Sequence, residues 1–169
     1  MERGSQRSRQ YLKELGDIRA TRSGTGETSY YPALANLLNA VGERLKPKVC
    51  CVIQLQNRGA GMPDGGLFTA EQLRSKTARA NPEKSPLDVL PPARGVIEVK
   101  APSQDLASIV ASEQVGRYWQ SYGLVLVTNY RAFTLIGRSP AGQPVRQESF
   151  TLAETEDAFW RAAARPLAL

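Results

Sequence analysis

At 169 residues the chain is long enough for one domain with a proper core and too short for a second sizeable one. Hydrophobic residues make up 41% and charged residues 22%, an ordinary globular balance; a net charge of +6 and an isoelectric point near 9.6 favour a polyanionic partner without fixing the fold. There is no histidine, which excludes Ser-His-Asp and Cys-His triads, histidine-metal nucleases and the common zinc sites.

Residues 1–26 are polar, basic and punctuated by Gly and Ser, and are expected to be partly flexible. Within them Tyr11, Leu12, Leu15 and Ile18 are spaced for a short amphipathic helix. Tyr30, Leu34, Leu37, Leu38, Val41 and Leu45 recur at three and four, predicting a helix from Tyr30 to Leu45 that tolerates Pro32 in its first turn and stops at Lys46-Pro47. Val49 to Leu55 reads as a strand; Cys50 and Cys51, as strand neighbours, point to opposite faces and are expected to be reduced thiols. Asn57 to Gly61 is a turn, and Met62 to Thr69 leads Asp64 into a second, short strand.

From Glu71 to Arg94 the periodicity fades among Pro82, Pro86, Pro91 and Pro92, so a mobile surface insertion is expected at about 71–94, with at most one helical turn near Glu71 to Ser75. Val96 to Val99 is a short buried strand bounded by Gly95 and Pro102. Leu106 to Tyr122 looks like one helix, with Ser103 and Asp105 as candidate caps and Gly123 as its stop. Leu124 to Thr128 is a central strand, Ala132 to Gly137 its hairpin partner, Pro144 to Phe150 an edge strand, and Ala153 to Ala164 a closing helix. This order implies an α/β fold, a three-layer sandwich with a central mixed β-sheet flanked by helices, occupying residues 27–169. No stretch approaches the length of a membrane span and no signal-peptide apolar region is seen, so a cytoplasmic protein with no membrane partner is expected.

The chemistry centres on Glu98 and Lys100, which leave one face of an apolar strand together. Such charges are costly unless they pair or bind something, and a plain ion pair would account for these two alone. The turn Gly61-Met62-Pro63-Asp64-Gly65-Gly66 supplies a second acid. With Asp64 and Glu98 on adjacent strand ends, two carboxylates and the main-chain carbonyl of Val99 make an open, hard-oxygen site of the kind Mg²⁺ uses, with Mn²⁺ as the alternative. Lys100 would hold or deprotonate the attacking water; a basic role requires its value, about 10.4 when free, to be lowered locally.

Pro63-Asp64 followed by Glu98-Val99-Lys100 resembles the signature of the PD-(D/E)xK nuclease superfamily. Gln114 and Tyr118, one helical turn apart, match the Gln-x-x-x-Tyr element of its RecB-like and Mrr-like branches, and Glu27 stands where many members place an accessory acid. The text around Ser29 to Asn39, Gly59 to Asp64, Gly95 to Lys100, Gln114 to Trp119 and Leu124 to Tyr130 is similar to the N-terminal nuclease domain of polypeptides that fuse cleavage to an adenine methyltransferase. The resemblance implies a Mg²⁺-dependent DNA endonuclease of a restriction-modification system, with DNA as partner and a methyltransferase/specificity polypeptide or a second nuclease copy as a further one. Its catalytic set would be Asp64, Glu98 and Lys100, supported by Gln114, Tyr118 and Glu27. Two alternatives stand beside it: an inactive DNA- or partner-binding module on the same fold, and a standalone repair or junction nuclease.

Overall fold

The computed structural model describes residues 2–21, 26–53, 61–74 and 90–164. Six strands form one sheet in chain order: β1 (Val49–Ile53), β2 (Gly65–Thr69), β3 (Val96–Val99), β4 (Val125–Thr128), β5 (Ala132–Arg138) and β6 (Pro144–Thr151). All pairings are antiparallel except β3 with β4, which runs parallel because the chain crosses over between them through two helices. The sheet is therefore mixed, as the order of apolar runs implies.

Alternation along β3 divides the core into two layers. Ile97 and Val99 pack on one face with Tyr11 and Leu15 of α1 (Glu2–Ala20), Tyr31 and Leu34 of α2 (Tyr31–Gly42) and Phe159 of α6 (Glu156–Ala164). Val96 packs on the other with Ile109 of α4 (Leu106–Val110) and with Val115 and Tyr118 of α5 (Glu113–Tyr122). Helices on both faces complete the three-layer sandwich.

Several elements depart from their expected bounds. The N-terminal helix runs for 19 residues rather than a few turns, and it belongs to the core, with Tyr11 and Leu15 buried. The expected helix Leu106 to Tyr122 is two helices: Asp105 caps the first by accepting from Ser108 N at 2.9 Å, and Ser112 caps the second by accepting from Val115 N at 3.3 Å. Ser112 reads as an ordinary helical position by spacing alone, yet its side chain caps the start of a separate helix. Gly123, at φ 75°, ends α5 with its N–H on Trp119 O. α2 begins after a 3₁₀ turn at Glu27–Tyr30 and stops at Gly42, where a side chain would strike the Val49 carbonyl. Val41 and Leu45, on the predicted apolar stripe, are 41% and 48% exposed; they line an open apolar groove of about 810 Å³ between α1, α2 and the sheet.

A short helix, α3 (Ala70–Arg74), follows β2 where one turn is expected; most of the expected insertion, residues 75–89, and the turn residues 57–60 lie outside the described residues. Arg74 and Arg94 flank the ends of β2 and β3 remote from Asp64 and Glu98. Cys50 and Cys51 are free; Cys51 is buried, and burial pushes its thiol up to about 12.

Gly95 sets the start of β3. Its φ of 93° is closed to most side chains, and a Cβ there would strike the Leu124 carbonyl. Gly95→Ala is expected to cost about 2 kcal/mol or more, read as a lower urea midpoint at unchanged m-value.

Candidate functional site

The register of β2 against β3 builds the site. Gly65 pairs with Ile97 and Gly66 with Val96, which sets Asp64 beside Glu98 where the ladder ends. Asp64 N–H donates to Ile97 O at 3.0 Å, and Val99 N–H donates back to Asp64 Oδ2 at 2.7 Å. Among the described residues no strand pairs with Val99 on the β2 side beyond Gly65, so the aspartate side chain continues the ladder and is fixed by it. In an extended strand the N–H and C=O of one residue leave on the same side, so the Val99 carbonyl also faces Asp64.

Glu98 is 1% exposed, on a strand whose four residues are all buried. Lys100 Nζ stands 2.6 Å from Glu98 Oε1, yet that oxygen has no properly aligned hydrogen-bond donor. The ion pair is therefore close in distance and poor in direction. Burial pushes the Glu98 carboxyl up to about 7; Lys100 opposes the rise, and the charge of neighbouring Asp64 adds to it. Lys100 itself is held above its ordinary value: burial works to lower it, and Glu98, Glu27 and Asp64 outweigh that. A general-base role requires the opposite shift, so the arrangement favours the charge-offsetting, water-holding role of Lys100.

Glu27 joins this group from the 3₁₀ turn ahead of α2. Burial raises its carboxyl and Asp64 raises it further, while Lys100 and a backbone hydrogen bond from Ala101 draw it down. Its main chain is clasped by Tyr130, whose hydroxyl donates to Glu27 O. Tyr130 is fully buried at φ 71°, a left-handed conformation held by Thr128 Oγ1 accepting from its N–H at 3.0 Å and by Tyr11 OH donating to its carbonyl at 2.9 Å. Asn129 is buried and braces the same turn, donating to Gln104 O at 2.8 Å and accepting from Ala132 N at 3.0 Å.

Gln114 and Tyr118 lie on the Glu98 face of the sheet, joined by Gln114 Nε2 donating to Tyr118 OH at 2.9 Å. Among the described residues they bond to each other rather than to Asp64, Glu98 or Lys100. Burial raises the Tyr118 phenol, Gln114 lowers it, and the charges of Glu98 and Asp64 raise it again, so the pair borders the acid group without touching it.

Sequence reasoning missed Tyr31. It is buried, and its hydroxyl donates to Asp64 Oδ1 at 2.9 Å. The available signal was its spacing of four from Glu27, one turn along the same chain segment.

Among the described residues, no group of three or more His, Cys, Asp or Glu side chains is placed to hold a metal. What the site offers is two acids at facing strand positions, one carbonyl on the Asp64 side of β3, and a buried oxygen, Glu98 Oε1, without a well-aligned donor. That donor set fits a divalent cation that keeps open positions for water, since a cation would offset the burial, and the lesser repulsion from Asp64, that favour the protonated Glu98 carboxyl.

No protein-family model and no curated protein matches the chain. Among solved structures it is similar to DrdV, in a structure described as a cryoEM DrdV–DNA complex, at 18% identity and a TM-score of 0.55. The match covers 94% of this chain and 14% of that one, so the chain spans about one-seventh of the DrdV polypeptide and shares the fold of that part of it.

Proposed function

We propose that this chain is a Mg²⁺-dependent DNA endonuclease domain of the PD-(D/E)xK type, serving a restriction-modification system. The observation that carries the proposal is the convergence of Asp64, Glu98 and Lys100 at the end of one pair of strands, with Glu98 buried and short of aligned donors. The fold shared with part of a polypeptide that binds DNA, and the net charge of +6, support it.

Asp64, Glu98 and the Val99 carbonyl would hold the ion, which supplies Lewis acidity toward the phosphodiester and a lowered pKa for a coordinated water. Lys100 directs its ammonium at the attacking water and offsets negative charge as the phosphorus becomes five-coordinate. Hydrolysis leaves 5′-phosphate and 3′-hydroxyl ends. Glu27, its main chain clasped by Tyr130, and the Gln114–Tyr118 pair border the centre. Choice of DNA sequence is assigned to polypeptide beyond this fold, a methyltransferase/specificity partner, and cutting both strands to a second nuclease copy.

The test is nicking of supercoiled plasmid with Mg²⁺ by the native protein, Asp64→Ala and Lys100→Ala. Loss of about 10²-fold or more in each variant is expected. Equal activity in all three contradicts the proposal, and tight DNA binding without cleavage under any divalent metal would favour a binding module instead.

A further inference from the structure

The first turn of α2 and the 3₁₀ turn before it bring two side chains to the acid pair. Glu27 is the acid; Tyr31, four residues later, is the second, and it touches Asp64 directly. Its ring packs in the core layer shared with Leu34, Ile97 and Val99, while its hydroxyl leaves that layer to reach Oδ1. Asp64 therefore receives one donor on each oxygen, from a helix on Oδ1 and from a strand amide on Oδ2. The torsion of a carboxylate about its Cβ–Cγ bond is broad when free, and two donors on opposite oxygens remove that freedom. Each oxygen keeps a second lone pair.

The restraint is needed because the neighbour is another carboxyl. Asp64 and Glu98 repel when both are charged, and an untethered aspartate on a turn would relieve that by rotating toward water. Tyr31 stays protonated while doing this, since burial and the Asp64 charge hold its phenol far above its ordinary value. We infer that Tyr31 is a positioning residue for Asp64, holding its carboxylate turned toward Glu98 so that a divalent cation meets two prearranged oxygens. This rests on the metal-centre reading of the acid pair. Partners that orient a ligand in this way typically change metal affinity about 10–100-fold when removed.

Tyr31→Phe separates the hydroxyl from the ring, because phenylalanine keeps the packing. The full chain is melted thermally across a Mn²⁺ titration, comparing native protein, Tyr31→Phe and Asp64→Ala. Mn²⁺ is expected to raise the native melting temperature, with Asp64→Ala unresponsive and the midpoint concentration for Tyr31→Phe about tenfold higher. Each midpoint is read from that protein's own metal-free baseline, so a lower basal melting temperature does not mask the result. A purely structural hydroxyl would lower the baseline and leave the midpoint in place; equal midpoints for native protein and Tyr31→Phe overturn the inference. A native protein that ignores Mn²⁺, or an Asp64→Ala variant that responds equally, overturns the metal-centre reading and the inference with it.

Discussion

Glu98→Gln is expected to abolish cleavage and, at pH 8 in metal-free buffer, to leave the protein more stable than the native chain. The carboxyl is pushed up from 4.5 to about 7 by burial, with Asp64 adding to the rise and Lys100 opposing it. A group raised in the folded state binds its proton more tightly there than in the unfolded chain. Its favourable contribution is therefore complete below about pH 4.5 and lost as pH rises through 7, with an amplitude on the order of 3 kcal/mol. Glu27 is raised by burial too, so its contribution has the same sign. Glutamine imitates the protonated form at every pH. Urea unfolding at pH 5 and pH 8 should show native stability falling over that interval and the Glu98→Gln curve much flatter. Flat curves for both proteins would mean that Glu98 carries no such strain. A site that destabilises its own fold until a cation arrives exchanges stability for binding.

Lys100→Met is expected to reduce plasmid nicking by about 10²–10⁴-fold. Its effect on stability depends on pH. Near pH 8 it removes the charge 2.6 Å from Glu98 Oε1 and leaves a buried carboxylate beside Asp64, which should cost about 1–3 kcal/mol, less than the 3–5 of a pair that cannot escape by protonation. Near pH 5 Glu98 takes up a proton and most of the loss disappears. Saturating Mg²⁺ at pH 8 should restore part of it, because the ion replaces the missing positive charge. A loss of the same size at both pH values would make Lys100 a packing residue rather than a counter-charge.

The strand that carries the chemistry was legible because its punctuation is local. Gly95 and Pro102 bracket Val96 to Val99, and the structure places β3 at those four residues. The two acids converge because β2 and β3 are antiparallel and adjacent, which their consecutive order in the chain suggests despite the long connection, residues 70–95, between them. Where tertiary contacts decide, the sequence is quieter. α1 is mostly polar, and its length shows only through Tyr11 and Leu15 reaching the core. The Ser112 restart depends on a single cap, and the left-handed Tyr130 on the nearby Thr128 and on two partners far away in sequence, Tyr11 and Glu27. Tyr31 stands one turn from Glu27, but the contact of its hydroxyl with Asp64 joins residues 33 apart and depends on tertiary packing.

The most direct measurement is calorimetric titration of Mn²⁺ into the metal-free protein at pH 7, repeated in buffers of different ionisation enthalpy to count protons. Binding by Asp64 and Glu98 should release about half a proton per ion, because a Glu98 carboxyl raised to about 7 is partly protonated at that pH, and both binding and release should vanish in Glu98→Gln. Absence of binding, or an identical isotherm for Glu98→Gln, would contradict the assignment of these two acids as one cation site.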